Sequence, residues 1–291
     1  MEKIPFNLSI DFEDLSYDIC RSIGVAPKVS HEALELSYHV INNFSEKKLN
    51  GKKLTFFATG TVARTVPNLL KQMIIDGHEV GSHYNFHDLM FKQSNYEISK
   101  NLEIGKELIF KACGREPMGF RAPIFSINNK RLDIFNQINK FFKYDSSYIL
   151  NLNIQNTATY KTLEPFKSID LVEFPIVPKG YFMGKIQIKS GGTFLRLFPC
   201  KIIKEVMYFN HKNDFIPQVY MHPYDYLCNQ EFWLPFNEFY KSKKISSFIK
   251  YFRQNQWSRM GNSTVFKKLN IILNHFYHTG PILENLKINK K

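Results

Sequence analysis

The sequence predicts an α/β fold built on parallel strands, either a barrel or an open sheet. Short apolar segments alternate with longer segments of helical periodicity along most of the 291 residues, and this alternation is typical of parallel strands joined by helices. Hydrophobic residues make up 44% of the chain and aromatic residues 15%, which excludes a disordered protein. The length suits one large domain or two small ones, and one α/β domain is the simplest interpretation.

The first elements form a strand–helix–strand unit. IPFNLSID at residues 4–11 alternates apolar and polar side chains and ends in an acid, as a strand does when a functional loop follows it. HEALELSYHVINNF at residues 31–44 places apolar side chains at helical spacing, and KLTFFATG at residues 53–60 is an apolar strand that stops at a glycine.

Two more helices flank a third strand. VPNLLKQMIIDG at residues 66–77 has proline in its first turn and glycine just past its end, which predicts a helix that leads into the short strand HEVGS at residues 78–82. The segment 94–114 begins with the capping-box pair Ser94 and Glu97 and keeps apolar side chains on one face. It therefore predicts a long helix.

Further strand segments follow, and helices such as PCKIIKEVMYFNHK separate most of them. These strand segments are MGFRAPIF (118–125), FFKYDSS (141–147), DLVEFPIV (170–177) and FIPQVYMHPYDY (215–226). In parallel barrels the chemistry collects at the carboxyl ends of the strands. Each polar cluster of this chain stands where a predicted strand ends, which is the placement that a shared site requires.

Two polar clusters indicate a metal site. His83 and His87 in GHEVGSHYNFHD lie four residues apart, so one helical turn would aim both rings at one ion. Alone, such a pair is more often one surface and one packed histidine. DFED at residues 11–14 adds three carboxylates, which alone would suit a solvated loop equally well. Together they supply two histidines and a carboxylate, the donor set of hydrolytic zinc sites.

Three other strand ends carry groups that could act beside a metal. Arg121 in GFRAPIF could orient a carboxylate, Asp145 in KYDSSY offers an acid, and His222 in VYMHPYDY follows an apolar strand. Each of these residues alone is more often structural or solvated. As a set they provide a base, an acid and an orienting cation. His78 we interpret as part of the packing of its strand.

In this order the motifs resemble those of the polysaccharide deacetylases, the carbohydrate esterase family four or NodB-homology group, over about residues 4–225. The resemblance implies a distorted (β/α) barrel of about seven parallel strands and metal-dependent removal of acetyl from an N-acetylated sugar. Residues 1–240 would form the catalytic domain and residues 241–291 a basic helical extension packed on it. GGTFLRLFPC at residues 191–200 resembles a subgroup encoded with exopolysaccharide and surface-glycan assembly genes.

The resemblance also assigns roles by motif position. It implies Asp11 as general base, Arg121 as the residue that fixes the base or lines the groove, Asp145 as the carboxylate that tunes the acid, and His222 as general acid. The implied metal ligands are Asp14, His83 and His87. The first motif departs from the family's adjacent aspartates, so Glu13 remains an alternative ligand. Zinc is the first expectation for the ion, with cobalt, nickel or manganese as alternatives.

Charge and cysteine content bear on partners and location. The net charge of +13 favours an anionic partner, so the expected N-acetylated glycan could be diphosphate-linked. The segment after residue 241 could contact a membrane surface, although a helical cap is the simpler interpretation. No nucleic-acid motif occurs, and the oligomeric state stays open. The four cysteines show no C-x-x-C pair, so we expect reduced, buried thiols, and the first residues lack a secretory apolar run, which favours the cytoplasm.

Two alternative functions remain. The first is an amide hydrolase on a small non-sugar substrate such as a ureide; exposed aromatic side chains such as Phe125 and Tyr148 in an open groove would favour sugars, and a lidded pocket would favour the small amide. The second is a binding protein without catalysis that holds nucleic acid or an acidic glycan through its charge.

Overall fold

A computed structural model describes residues 2–152, 166–228, 231–242 and 245–287. Within them a sheet of eight parallel strands forms the centre of the fold. Its strands are β1 (Ile4–Phe12), β2 (Thr55–Ala58), β3 (Glu79–Ser82), β4 (Gly119–Phe120), β5 (Tyr144–Asp145), β6 (Val172–Glu173), β9 (Gln218–Met221) and β10 (Phe276–His278), and β7 (Lys179–Tyr181) and β8 (Ile186–Ile188) form a separate antiparallel hairpin.

The strand order is β10-β1-β2-β3-β4-β5-β6, with β9 also paired to β1. Strand β1 is the longest and its last seven residues are buried, because it pairs with β2, β9 and β10. Among the described residues β6 and β9 each pair with one strand, so hydrogen bonds do not close the ring. The predicted distorted (β/α) barrel of parallel strands is confirmed, with one strand more than the expected seven.

Helices cover the sheet as the sequence periodicity predicts. They are α1 (Leu15–Ile23), α2 (His31–Lys48), α3 (Gly60–Thr65), α4 (Pro67–Ile75), α5 (Asn95–Cys113), α6 (Ile134–Asn139), α7 (Gly192–Leu197), α8 (Cys200–Lys212), α9 (Pro223–Tyr226), α10 (Phe236–Lys241), α11 (Ile245–Ser258) and α12 (Val265–Ile272). Short 3-10 helices occur at Met90–Lys92, Pro123–Phe125, Asn262–Thr264 and Ile282–Lys287. The capping box of α5 forms as predicted from Ser94 and Glu97.

The C-terminal segment takes part in the central sheet. Strand β10 pairs with β1 through Ile4 and Phe276, and Leu269 of α12 packs in the same hydrophobic core as Leu8. The sequence pattern did not predict β10, because a three-residue strand leaves too little alternation to detect. The domain boundary at 240/241 stays a prediction, and residues 243–244 and 288–291 of the extension lie outside the described residues.

The four cysteines differ in exposure. Cys20 and Cys113 are buried, Cys200 is half-buried and Cys228 is exposed, and all four are free thiols. The expectation of uniformly buried thiols is therefore wrong for the last two. None of the helices in the described part of the chain is long and apolar enough to span a membrane.

Candidate metal centre and active site

Glu13, His83 and His87 meet at one end of the sheet. Glu13 directly follows β1 and His83 directly follows β3, and because these two parallel strands flank β2, their carboxyl ends lie at the same edge of the sheet. Glu13 Oε2 lies 3.6 Å from His83 Nε2 and 2.7 Å from His87 Nε2. One donor atom from each residue lies within 4.8 Å of the others. This is the donor set that a divalent transition metal prefers.

The two histidines converge through a loop rather than a helical turn. The segment after β3 is irregular, and Tyr84 within it adopts a left-handed φ of 72°. The expectation that a helical turn aligns the two rings was therefore wrong, because a loop brings them together. Their ring centroids are nevertheless 5.5 Å apart, because the loop turns His87 back toward His83.

Two donor atoms of this cluster are buried without a hydrogen bond. His83 Nδ1 lies 2.8 Å from the backbone oxygen of Arg121, so the neutral ring carries its hydrogen on Nδ1 and leaves the Nε2 lone pair free. Neither His83 Nε2 nor Glu13 Oε2 has a hydrogen-bond partner, although His87 Nε2 is close to the latter. Buried unpaired acceptors cost free energy, and a cation shared by the three side chains would satisfy them.

The surroundings hold Glu13 in its ionised form. Burial alone would raise the pKa of Glu13, but His87 and His83 outweigh it and keep the pKa well below its ordinary value. Burial lowers the pKa of His87, and the Glu13 carboxylate overcomes this and raises it to about 9. Tyr224 donates its hydroxyl to Glu13 Oε1 at 3.1 Å, which turns the other carboxylate oxygen toward the histidines.

Asp14 does not belong to this cluster, and its assignment as a ligand is corrected. Its Oδ1 accepts hydrogen bonds from Ser16 Oγ at 2.5 Å and from Tyr17 N at 3.1 Å, and its Oδ2 accepts from Ser30 N at 2.6 Å. Asp14 is thus the N-cap of α1. Glu13, the alternative, faces His83 and His87 instead. The two-residue period of a strand places Glu13 on the same side as Asp11, and this signal could have decided the choice.

Asp11 and Arg121 form a buried ion pair beside the cluster. Arg121 NH1 lies 2.7 Å from Asp11 Oδ1 and 2.8 Å from Ser9 Oγ. Its other nitrogens donate to the backbone oxygen of Ser146 at 3.2 Å and to its hydroxyl at 2.8 Å. The guanidinium also lies over the Phe57 ring, 4.3 Å from its centroid. These contacts fix the arginine, which in turn fixes the carboxylate at the end of β1.

His222 stands opposite Asp11, with Nε2 3.8 Å from Asp11 Oδ2. On its other side Nδ1 donates to Asp225 Oδ2 at 2.7 Å. Burial would lower the pKa of His222, but the Asp225 carboxylate outweighs it and raises the pKa to about 9. His222 is therefore protonated at neutral pH, with Nε2 directed toward the site.

Asp145 does not contact His222, and its role as the tuning carboxylate is corrected. Its oxygens accept from Ser147 N at 2.8 Å and from Ser147 Oγ at 2.7 Å. Burial raises the pKa of both Asp145 and the adjacent Glu173, and Asp145 raises that of Glu173 further. The carboxylate that contacts His222 is instead Asp225, three residues later in the chain. The H-x-x-D spacing of a capping box was the available sequence signal.

The segment GGTFLRLFPC supports the same histidine through a second ion pair. Arg196 of α7 lies 2.6 Å from Asp225 Oδ1, and both side chains are buried. The preceding backbone packs closely, since a Cβ on Gly191 would lie 2.4 Å from the backbone oxygen of Tyr220 and one on Gly192 would lie 3.4 Å from His222 Cε1. Only glycine at 191 allows this approach to β9.

A cleft of about 790 Å³ opens over these groups. Besides Asp11, Glu13 and His222, its lining includes the aromatic side chains Phe125, Phe194, Tyr220, Tyr224 and Trp257. Phe125 and Tyr148, whose exposure in an open groove would have favoured sugars, are both buried. Helix α11 adds Lys250, Arg253 and Trp257 to the wall, so part of the cleft comes from the C-terminal extension.

His78 stands outside the cluster. Its Nδ1 accepts from Leu54 N at 3.0 Å, and its Nε2 lies 2.9 Å from Asn42 Oδ1. Burial lowers the pKa of His78 to about 4. This neutral, fully engaged ring serves packing, in line with its interpretation from the sequence.

Comparison with known proteins gives a consistent family match. Residues 39–140, which include His83, His87 and Arg121, match the family model described as polysaccharide deacetylase. A peptidoglycan-N-acetylglucosamine deacetylase of Listeria monocytogenes is 31% identical over 83 residues, 28% of this chain and 18% of that protein. A chitooligosaccharide deacetylase of Azorhizobium caulinodans is 28% identical over 85 residues, 29% of this chain and 40% of that protein.

Among solved structures, the Xyl-CE4 domain of a multidomain xylanase from the hindgut metagenome of Trinervitermes trinervoides aligns with a TM-score of 0.44 and 12% identity, covering 99% of this chain and 92% of that one. The two sequence relatives are matched over less than half of their own length. The family-model match nevertheless spans the segment that carries both histidines of the cluster and its buried arginine. Over residues 39–140 the chain is therefore similar to the polysaccharide deacetylase family.

Proposed function

We propose that the protein is a metal-dependent hydrolase that removes acetyl from an N-acetylated sugar in a surface polysaccharide or its precursor. The arrangement of Glu13, His83 and His87 carries this proposal, because two of their buried donor atoms lack any hydrogen bond. The match of residues 39–140 to the polysaccharide deacetylase family model supports the same chemistry. Zinc is the ion we expect, with cobalt, nickel or manganese as alternatives that the same donors accept.

The ion, when bound, supplies a Lewis acid that polarises the acetamide carbonyl and makes water more acidic. The chain's own residues move the protons. Asp11, held by Arg121 at 2.7 Å, accepts a proton from the water that attacks the carbonyl carbon.

His222 then donates a proton to the departing nitrogen as the carbon–nitrogen bond breaks, which yields acetate and an amine. An unprotonated amide nitrogen is a poor leaving group, so an acid is needed as well as a base. Asp225 keeps His222 protonated, because its carboxylate raises the pKa of the ring although burial lowers it. Asp11 and His222 face each other across the site, as a base and an acid in one hydrolysis must.

The size of the cleft favours a saccharide over a small ureide. A volume of about 790 Å³ with several aromatic walls exceeds what one cyclic amide would fill. We further infer that the glycan, or a diphosphate-linked form of it, meets the enzyme at a positively charged surface, given the net charge of +13. Cytoplasmic location stays a prediction.

Helix α11 also supports the proposed contact with a membrane surface. Ile245, Ile249 and Phe252 form an exposed apolar stripe on it, with Ile245 82% and Phe252 70% exposed. Basic Lys241 and Arg259 lie just beyond its two ends, as in interfacial helices. Sedimentation with anionic vesicles tests this contact: Phe252→Glu should reduce binding, and unchanged binding would contradict it.

Acetate release tests the main proposal. Purified protein loaded with zinc should release acetate from N-acetylglucosamine oligomers, lose this activity with a chelator and regain it when metal is added back. Elemental analysis should find about one ion per chain in the native protein and none in His83→Ala. An active His83→Ala variant without metal would contradict the proposal.

A further inference from the structure

Lys189 lies in the wall of the catalytic cleft on a fixed backbone. It directly follows strand β8 and lines the same cleft as Asp11 and His222. The next residue, Ser190, donates its hydroxyl to the backbone oxygen of Gln218 at 2.7 Å. Together with the close approach of the following glycines to β9, this contact anchors the segment. The position of the lysine relative to the active site is therefore set by the sheet.

The side chain of Lys189 is partly buried, and its ammonium group has no counter-charge among the described residues. Its Nζ lies 5.0 Å from the centroid of the Phe125 ring, and no carboxylate of the described residues lies within ion-pair distance. Burial lowers the pKa of Lys189 to about 8, with no compensating acidic neighbour. Lys179, on the same hairpin, instead pairs with Glu205 at 3.3 Å. A partly buried cation without a partner is less well solvated than one in water, and an anionic ligand would offset that loss.

The acidic groups of the cleft are already neutralised. Asp11 is paired with Arg121, Glu13 with the histidines, and Asp88 with Arg21. Asp18, the remaining acid of the lining, is buried, and burial raises its pKa.

The uncompensated charges of the wall are therefore positive. Arg253 of α11 makes no ion pair with a described residue, and its guanidinium lies 5.0 Å from the centroid of the Trp257 ring. Both residues line the cleft together with Lys189. Trp257 offers an aromatic face of the kind on which sugar rings pack. The wall thus combines an aromatic surface with two cations that lack acidic partners.

We propose that Lys189 forms an anion-binding subsite of the cleft, assisted by Arg253, and that the preferred substrate carries a carboxylate or phosphate beside its N-acetylated sugar. This inference rests on the proposed deacetylase function and specifies its substrate class. A uronic acid in an acidic glycan and the phosphate of a sugar phosphate or diphosphate present the same anionic oxygens. The subsite would select for them by lowering the free energy of the bound anion in a poorly hydrated wall.

Matched variants and substrates test the subsite. Acetate release is measured on N,N'-diacetylchitobiose as the neutral substrate, and on an N-acetylglucosaminyl-glucuronic acid disaccharide and UDP-N-acetylglucosamine as the two anionic sources. Wild type should prefer at least one anionic substrate in kcat/KM. Lys189→Met should lower kcat/KM for that substrate roughly 30-fold, as truncation of one partner of a buried charge pair does, and change the neutral one less than about twofold.

Two further variants separate charge from folding. Lys189→Arg should retain the preference for the anionic substrate. Lys185→Met, on the same hairpin but exposed and outside the cleft lining, should behave as wild type. Equal kcat/KM on neutral and anionic substrates in the wild type, or equal losses on both in Lys189→Met, would overturn the inference.

Binding measurements distinguish failure of this inference from failure of the proposed function. Absence of acetate release from every substrate would remove the deacetylase proposal alone. Isothermal titration calorimetry with N-acetylglucosamine 1-phosphate and N-acetylglucosamine would then decide the subsite. Tighter binding of the phosphate form to wild type but not to Lys189→Met supports it, and equal binding of the two sugars overturns it.

Discussion

Asp225 holds His222 at two points, with one carboxylate oxygen 2.8 Å from the backbone nitrogen and 2.7 Å from Nδ1 of the same residue. The three-residue spacing at the start of α9 makes this double contact possible. Arg196 holds the other carboxylate oxygen at 2.6 Å. The orientation and the charge of the proposed general acid therefore depend on a local helix cap and on one arginine from α7.

The alkaline limit of activity should depend on Asp225. The pKa of His222 is raised to about 9 by this carboxylate against the effect of burial, so the acid stays protonated, and the enzyme active, up to about that pH. Asp225→Asn removes the main raising cause, and burial then lowers the pKa toward or below its ordinary value of about 6.5. Profiles of kcat against pH should show the alkaline limb shifted to lower pH. An unshifted limb would contradict the assignment; Asp145→Asn, the control, should leave it in place.

Glu13 and Asp14 should respond differently to substitution. Glu13→Gln keeps the shape of the side chain but removes a ligand charge, so metal affinity should fall at least roughly 100-fold with little change in stability. Asp14→Ala removes the N-cap of α1 and should cost about 1 kcal/mol of unfolding free energy while metal is retained. Calorimetric titration with zinc and chemical denaturation measure the two effects. Loss of metal in Asp14→Ala alone would reverse the assignment.

The base and the acid should act as one unit. Asp11→Asn and His222→Ala should each lower kcat by about 100-fold or more, because each removes one proton transfer. The double variant should be little worse than either single variant, since groups that act in one step are not additive. Initial rates of acetate release measure this. Fully multiplicative losses would argue against a shared reaction.

Gly191 should tolerate no side chain. A methyl group there would lie 2.4 Å from the backbone oxygen of Tyr220, so Gly191→Ala should destabilise by about 1–3 kcal/mol and lower activity through His222. Gly114→Ala is the control, since its added Cβ meets nothing within 4 Å and only its φ of 70° opposes the change. Thermal unfolding with parallel assays compares them. Equal activity in both variants would contradict the steric account.

The strand β10 should be essential for the fold. Phe276 is fully buried, so Phe276→Ala should cost about 3–5 kcal/mol, whereas Phe252→Ala, on the exposed side of α11, should change stability by less than about 0.5 kcal/mol. A truncated chain ending at residue 240 should therefore fail to fold. Urea denaturation measures both, and a stable truncated chain would support an independent domain 1–240.

Local patterns in the sequence predicted the strands, helices and site residues whose placement depends on residues nearby in the chain. Period-two and helical spacing located β1 and α5, and the order of motifs selected Asp11, His83, His87, Arg121 and His222 as site residues. The structure brings these together at one end of the sheet. Metal binding and catalytic roles themselves remain predictions.

The sequence patterns assigned the wrong role to a carboxylate where a competing contact determines its hydrogen-bond partners. Asp14 is a carboxylate at the correct distance along the chain, but the cap of α1 engages its Oδ1 and the backbone nitrogen of Ser30 engages its Oδ2. Asp145 follows a strand as expected, but Ser147 and Glu173 engage it. The partner of His222 instead comes from three residues further along the chain. Such competition between acceptors is visible only when the fold fixes which donors are near.

Helix α11 contributes side chains to the interior, to the wall of the cleft and to the outer surface. Gln254 ties it to the backbone of Leu234 through two hydrogen bonds of 3.2 and 2.9 Å, Arg253 and Trp257 face the cleft, and Phe252 points outward. Residues close together on this one helix therefore lie in three different environments. A tilt of α11 at the outer surface would therefore also displace Arg253 and Trp257 in the wall of the cleft.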